Sequence, residues 1–246
     1  MNKLKLILSF FTRINVGKVE YTDGEFEKSI KLTPVVGIII GLILLIASIV
    51  LCKIQNKLVV GFLITLIYLI VTGGLHFDGL SDSFDGLFSG RDKERMLEIM
   101  KDSRVGAFGV LAVVFSIIGY IIFIGDVSIA TIAIFPIVGR CSLYIASKFG
   151  SYGRVSGMGQ VFVEKGNTSG FRNIFILINI AIIIVSILTK EYYLIAGTLV
   201  AYIISYRIVK FSHNKIDGIT GDILGMIVEL SQLSFLIASY IIASFL

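Results

Sequence analysis

Along this chain, long uncharged apolar stretches alternate with short segments that hold nearly all of the charge. Uncharged runs near spanning length occur at Leu32–Cys52, Leu58–Leu75, Gly106–Gly125, Asn173–Thr189, Tyr192–Tyr206 and Leu230–Leu246. A seventh, Val127–Ser147, reaches that length only with Arg140 inside it. A transmembrane helix needs about 20 mostly apolar residues to cross the hydrocarbon. The pattern predicts an all-α polytopic membrane helix bundle of about seven transmembrane helices plus short interfacial helices. Residues 1–246 read as one domain, because no linker separates a second and no internal repeat is visible.

The polar segments between the runs are unequal. Lys3, Lys5, Arg13, Lys18, Lys28 and Lys31 precede the first run, and Arg91, Lys93, Arg95, Lys101 and Arg104 fall between the second and third. Lys148, Arg154, Lys165 and Arg172 follow the fourth, and Arg207, Lys210 and Lys215 precede the last. The alternate segments hold Lys53 and Lys57, then Asp126, then Lys190 with Glu191. Loops rich in Lys and Arg stay cytoplasmic, so seven spans put the N-terminus inside and the C-terminus outside. The expected location is the cell membrane, with catalytic loops 76–105, 148–172 and 207–222 facing the cytoplasm. KLKLILSFF has a short apolar run but no small-residue cleavage site, and reads as a retained amphipathic helix rather than a cleaved signal peptide.

Composition agrees with a bilayer location. The chain is 56% hydrophobic and 16% charged, with a mean hydropathy of +0.92, whereas a soluble domain carries roughly a quarter charged residues. The formal charge of +5 is spread over four segments, which argues against a nucleic-acid partner. Membrane lipid is the expected surroundings, and a homo-oligomer or an association with other enzymes is left open. Cys52 and Cys141, far apart in sequence, form neither a disulfide framework nor a CxxC metal site.

Candidate chemistry is concentrated in HFDGLSDSFDG, residues 76–86. Asp78, Asp82 and Asp85 at i, i+4 and i+7 share one helical face, an arrangement that like charges disfavour unless a cation relieves it. Mg²⁺ is held by one or two carboxylates plus substrate phosphates, so these three are the candidate metal ligands; a merely solvated acidic loop is the alternative. Gly73-Gly74, Gly79 and Gly86 are potential breaks in that helix. His76 is a candidate base or hydrogen-bond partner, while His213 is less so. Arg91, Arg95, Glu98 and Asp102 share a face of a short amphipathic helix capped by Ser89 or Asp92, and Arg91, Arg95 and Arg104 suit phosphate oxygens. Asp102-Ser103-Arg104 is expected at the N-terminal end of the next span, with Asp102 a further candidate base. Thr220 is expected to cap a helix carrying Asp222 and Glu229, one of which neutralises Arg140, itself four residues beyond the kink expected at Pro136. The five-glycine segment 153–170 reads as a mobile substrate-binding loop.

TGGLHFDGLSDSFDG (72–86), RMLEIMKDSRVGAFG (95–109), TGDILGMIVEL (220–230) and the opening SFFTRINV (9–16) together resemble the adenosylcobinamide-GDP ribazoletransferase, or cobalamin synthase, family. The resemblance runs from about residue 8 to 230. It implies a Mg²⁺-dependent multi-pass membrane enzyme that joins adenosylcobinamide-GDP to alpha-ribazole or its 5′-phosphate and releases GMP. On that reading Asp82, Asp85, Asp102 and His76 are catalytic candidates, and Arg91, Arg95, Arg104, Arg13, Asp222 and Arg140 are substrate-binding candidates. Two departures are visible: the opening lacks the usual proline after its arginine, and Asp217-Gly218 stands where a Gly-Gly pair is usual. Asp82-x-x-Asp85-Gly86 also partly resembles the CDP-alcohol phosphotransferase signature, but Ser89-Gly90-Arg91 replaces its alanine-arginine. Charge inside the spans leaves an ion-coupled transporter as a rival, and a non-catalytic membrane scaffold as another.

Overall fold

The computed structural model describes residues 2–245. Twelve α-helices follow one another among these residues: α1 (Asn2–Phe11), α2 (Asp23–Ser29), α3 (Thr33–Leu51), α4 (Lys57–Thr72), α5 (Leu75–Leu87), α6 (Lys93–Ile99), α7 (Ala107–Asp126), α8 (Ile129–Phe149), α9 (Met158–Lys165), α10 (Ser169–Thr189), α11 (Tyr193–Ile216) and α12 (Gly221–Ala243). A single 3₁₀ turn, Ile30–Leu32, joins α2 to α3.

Six helices, α3, α7, α8, α10, α11 and α12, are long and apolar enough to cross a membrane. The span expected at Leu58–Leu75 ends early. α4 has 16 residues, roughly 24 Å of helix, and then turns through 92° into α5. The cause is local: Gly73 and Gly74 hold φ of +64° and +69°, a left-handed conformation that side chains resist. Gly79 and Gly86, in contrast, sit inside α5 without breaking it. The bend lays the acidic segment, helical as its spacing predicts, across the end of the bundle.

Helix starts follow local chemistry. Asn56 Oδ1 accepts from the amides of Leu58 and Val59 to open α4; Ser128, Thr168 and Thr220 likewise cap α8, α10 and α12. Each satisfies amides that a helix leaves unpaired. The cap at Thr220 starts α12 at Gly221, where it was expected, nine residues before the uncharged run that begins at Leu230; Leu246, the end of that run, lies outside the described residues. Pro136 sits inside α8 without ending it.

Close helix packing rests on small residues, as is usual between membrane helices. Gly37 of α3 lies so near α8 that a β-carbon there would come within 2.8 Å of the Pro136 carbonyl. α8 and α12 form the interior of the bundle, and α10 its most exposed flank. α12 touches α5, α7, α8, α9 and α11. At the site-bearing end, α1 buries Leu6, Ile7, Leu8 and Phe11 against protein, so this amphipathic helix packs on the bundle itself.

Candidate active site

Two glycines bring α5 against α12. A β-carbon on Gly79 would come within 2.7 Å of the Asp222 carbonyl, and one on Gly225 within 3.0 Å of the His76 carbonyl. This approach sets Asp78 and Asp82, on adjacent turns of α5, beside Asp222 in the first turn of α12. Partial burial raises the Asp82 carboxyl from 3.8 to about 7, with added repulsion from Asp78, Asp222 and Asp85 and partial relief from Arg154. Such crowding leaves room for one further positive charge.

Asp85 belongs elsewhere. Its Oδ2 accepts from the Gly106 amide at 2.7 Å and its Oδ1 from the Gly109 amide at 2.9 Å. The buried carboxylate therefore caps α7 and complements its dipole. The three-aspartate metal set expected from i, i+4, i+7 spacing gives way at this residue. Spacing alone does not reveal that another helix end lies against that side of α5. Among the described residues no three His, Cys, Asp or Glu side chains are grouped as a ready metal site. Two carboxylates that remain, Asp78 and Asp222, fit a hard cation only if its other ligands come from substrate oxygens and water.

Arg154 is the functional candidate missed in the sequence. Its side chain is 12% exposed and its Nη2 lies 2.9 Å from Asp222 Oδ2. A short backbone pairing positions it: Gly153 donates to Ile219 at 2.9 Å and Ile219 to Ser151 at 2.9 Å. The neighbouring Asp217 takes φ +57°, a conformation natural to glycine, and pairs with Lys93 at 2.9 Å. Arg154, Lys93 and Lys101 line a cleft of about 450 Å³. The only signal in the sequence is one arginine within a glycine-rich loop, and that loop contains a regular helix, α9.

On the other side of Asp78, Arg13 lines an open cleft of about 570 Å³ with Gly73, Gly74 and Ser81. The backbone of Arg13 is fixed by its amide donating to Val71 at 2.8 Å. Asp78 and Asp222 also border a smaller cavity of about 170 Å³ walled by apolar side chains.

A family model described as cobalamin-5-phosphate synthase matches residues 3–240. The chain belongs to the cobalamin-5-phosphate synthase family. Relatives named adenosylcobinamide-GDP ribazoletransferase include one from Alkaliphilus oremlandii, 36% identical over 99% of both chains. Others come from Clostridioides difficile, 36% identical over 98% of both, and Acetivibrio thermocellus, 37% identical over 98% of both. No solved structure matches. Membership in this family of membrane transferases agrees with the polytopic bundle.

The other candidates in this synthase-family chain are dispersed. Arg140 is fully buried in α8, and its Nη1 donates to Gln232 Oε1 at 2.5 Å and weakly to the Tyr68 hydroxyl at 3.4 Å. Glu229 instead accepts from the hydroxyls of Tyr68 at 2.8 Å and Tyr120 at 2.6 Å. The expected direct neutralisation of Arg140 by Asp222 or Glu229 is thus replaced by a relay of neutral side chains that ties α4, α7, α8 and α12 together. Arg140 and Glu229 are 0% and 1% exposed, which removes Arg140 from the substrate-binding set and gives the transporter reading no open path through them.

Asp102 is bound by Arg104, at 2.6 Å to its Nη2, and that contact pulls its carboxyl down to about 2. A carboxylate so stabilised is a poor proton acceptor near neutrality. Arg95 pairs within its own helix to Glu98 at 2.7 Å, while Arg91 and Arg104 are exposed. Asp92, not Ser89, caps α6. His76 is buried, its Nε2 has no partner, and its ring lies 5.3 Å from that of Phe11. Burial, with the charge of Arg140, holds His76 well below its ordinary value, in the neutral form. His213 accepts from the Ser151 amide at 3.2 Å, a structural bond.

Proposed function

We propose that this chain transfers the adenosylcobinamide phosphate group of adenosylcobinamide-GDP to alpha-ribazole or its 5′-phosphate, forming the cobamide and GMP. The observation that supports it most is the coincidence of the family's acidic segment with a three-carboxylate, one-arginine cluster at the end of the bundle. Asp78 and Asp222 would hold Mg²⁺ together with oxygens of the diphosphate. When bound, the ion would neutralise charge on the transferring phosphate. Arg154, with Lys93 and Lys101 behind it, contacts the phosphate oxygens, and a guanidinium suits that task. Arg13 approaches from the opposite cleft. Asp82, near neutrality, takes the proton of the attacking ribazole hydroxyl. A new P–O bond forms as the bond to the bridging oxygen breaks, and GMP leaves with that electron pair.

The site-bearing end carries the basic residues of the N-terminus, α6, the 148–172 segment and the end of α11. By the positive-inside rule it faces the cytoplasm, and the chain resides in the cell membrane, where a nucleotide substrate reaches it from water. Purified protein with both substrates and Mg²⁺ tests the reading: GMP and cobamide should appear in equal amounts, and a chelator or Asp82→Asn should abolish both. Product formation by Asp82→Asn at the wild-type rate would refute the assignment of the proton acceptor. Absence of product from wild-type protein would refute the reaction.

A further inference from the structure

The cavity beside Asp78 and Asp222 is unlike the rest of the site. Its walls are Phe10 and Phe11 from α1, Phe162 from α9, Leu143 from α8 and Leu224 from α12, with Met158 at its mouth. The three phenylalanines pack on one another, Phe162 lying 5.7 Å from Phe10 and 5.5 Å from Phe11 between ring centres. Segments far apart in sequence thus converge on one aromatic-walled recess that opens onto the acidic cluster. Gly159 permits this: a β-carbon there would come within 2.6 Å of Gly221, so α9 closes tightly over the start of α12.

Size and polarity limit the occupant. A sealed apolar cavity of about 150 Å³ accepts a benzene ring, so about 170 Å³ with an open mouth accepts a flat bicyclic ring. A corrin macrocycle is far too large. Guanine carries donors and acceptors around its whole edge, whereas the polar side chains bordering the recess are His76, Asp78 and Asp222 alone, so most of that edge would be buried unpaired, which is costly. A benzimidazole ring has no exocyclic polar group, and its faces suit stacking or edge contact with phenylalanine. Carboxylates at the rim suit the hydroxyls of an attached ribose as acceptors.

Resting on the transfer reaction proposed above, we infer that this cavity is the base subsite of the acceptor: it holds the benzimidazole ring of ribazole and directs the ribose toward Asp78, Asp82 and Asp222. The diphosphate of the donor then occupies the cationic side at Arg154, and the two substrates approach the carboxylates from different directions.

The test pairs kinetics with direct binding. Leu224→Phe reduces the cavity from its inner wall; Phe10→Leu, at a partly buried position, removes an aromatic face with little risk to folding. At saturating donor, the KM for ribazole should rise about tenfold in Leu224→Phe and severalfold in Phe10→Leu, while the KM for the GDP donor changes less than twofold. Leu224→Phe should lose less against a riboside of the smaller imidazole base, shifting acceptor preference toward it. Free 5,6-dimethylbenzimidazole, followed by its own fluorescence in a chain that lacks tryptophan, should bind wild-type protein saturably over an empty-micelle control and more weakly in both variants. An unchanged ribazole KM in both variants, or an equal rise for donor and acceptor, overturns the subsite. Binding of the free base that weakens in the variants, from protein that releases no GMP, keeps the subsite and refutes the reaction. GMP release at wild-type KM with no base binding refutes the subsite and keeps the reaction.

Discussion

Replacing Asp85 with asparagine separates the role of the third aspartate from that of the first two. In the wild-type protein both carboxylate oxygens accept backbone amides of α7, at 2.7 and 2.9 Å, and the residue is 9% exposed. Asparagine keeps one acceptor, but its amide nitrogen then faces an amide that has lost its partner. Hydrogen bonds to charged groups contribute about 1.5–3 kcal/mol, and a buried unpaired donor costs about 1–3 kcal/mol. Because the lost bond and the stranded donor are largely the same quantity counted twice, the net destabilisation is about 2–3 kcal/mol. For a chain of this size that lowers the melting temperature by roughly 5–10 °C. Thermal unfolding in detergent, followed by labelling of the buried Cys141 in a Cys52→Ser background, measures it. Below the new melting point, surviving activity should show the wild-type dependence on Mg²⁺ concentration. A variant as stable as wild type that needs far more Mg²⁺ would return Asp85 to the cation site and refute the capping role.

Asp82→Asn should have the opposite effect on stability. The folded value of about 7 against 3.8 means that the folded state binds this proton more tightly, so the ionised form opposes folding. The penalty is absent below about pH 4, grows toward pH 7 and is complete above it; in a chelator, Asp82→Asn should therefore raise the melting temperature at pH 8 and leave it unchanged at pH 4. A pH-independent difference would disprove the crowding. Arg140→Met should lower stability by about 3 kcal/mol or more, since it strands Gln232 and unbalances the buried network, without raising the donor KM of protein that remains folded. Asp102→Asn should retain most activity, because that carboxylate is occupied by Arg104; loss of turnover without loss of folding would restore it as the base.

The polytopic pattern of apolar spans, the cap at Thr220, the choice of Ser89 or Asp92 as the cap of α6 and the cluster of acids were legible because each depends on residues close in sequence. Apolar run length reports a bilayer, and a capping side chain reaches only the next turn. The break after α4 was partly legible, since Gly73-Gly74 marks a turn, but its 92° sense depends on where α5 finds a groove against α12. Arg154 was not legible as a site residue: 68 positions separate it from Asp222, and only the pairing of Gly153 with Ile219 brings them together. The same limit explains Asp85 and Arg140. A sequence states that a carboxylate or guanidinium must be paired when buried, but not by which partner. Packing of α7 against α5 gave Asp85 its amides, and packing of α4, α7 and α12 around α8 gave Arg140 a relay of Tyr68 and Gln232 in place of an acid. Short-range chemistry and hydropathy thus determined the elements and the membrane class from sequence alone. Which charges meet, and which are left free for a substrate, was decided by tertiary structure, because charge pairing acts through space between helices whose order in the chain does not set their neighbours.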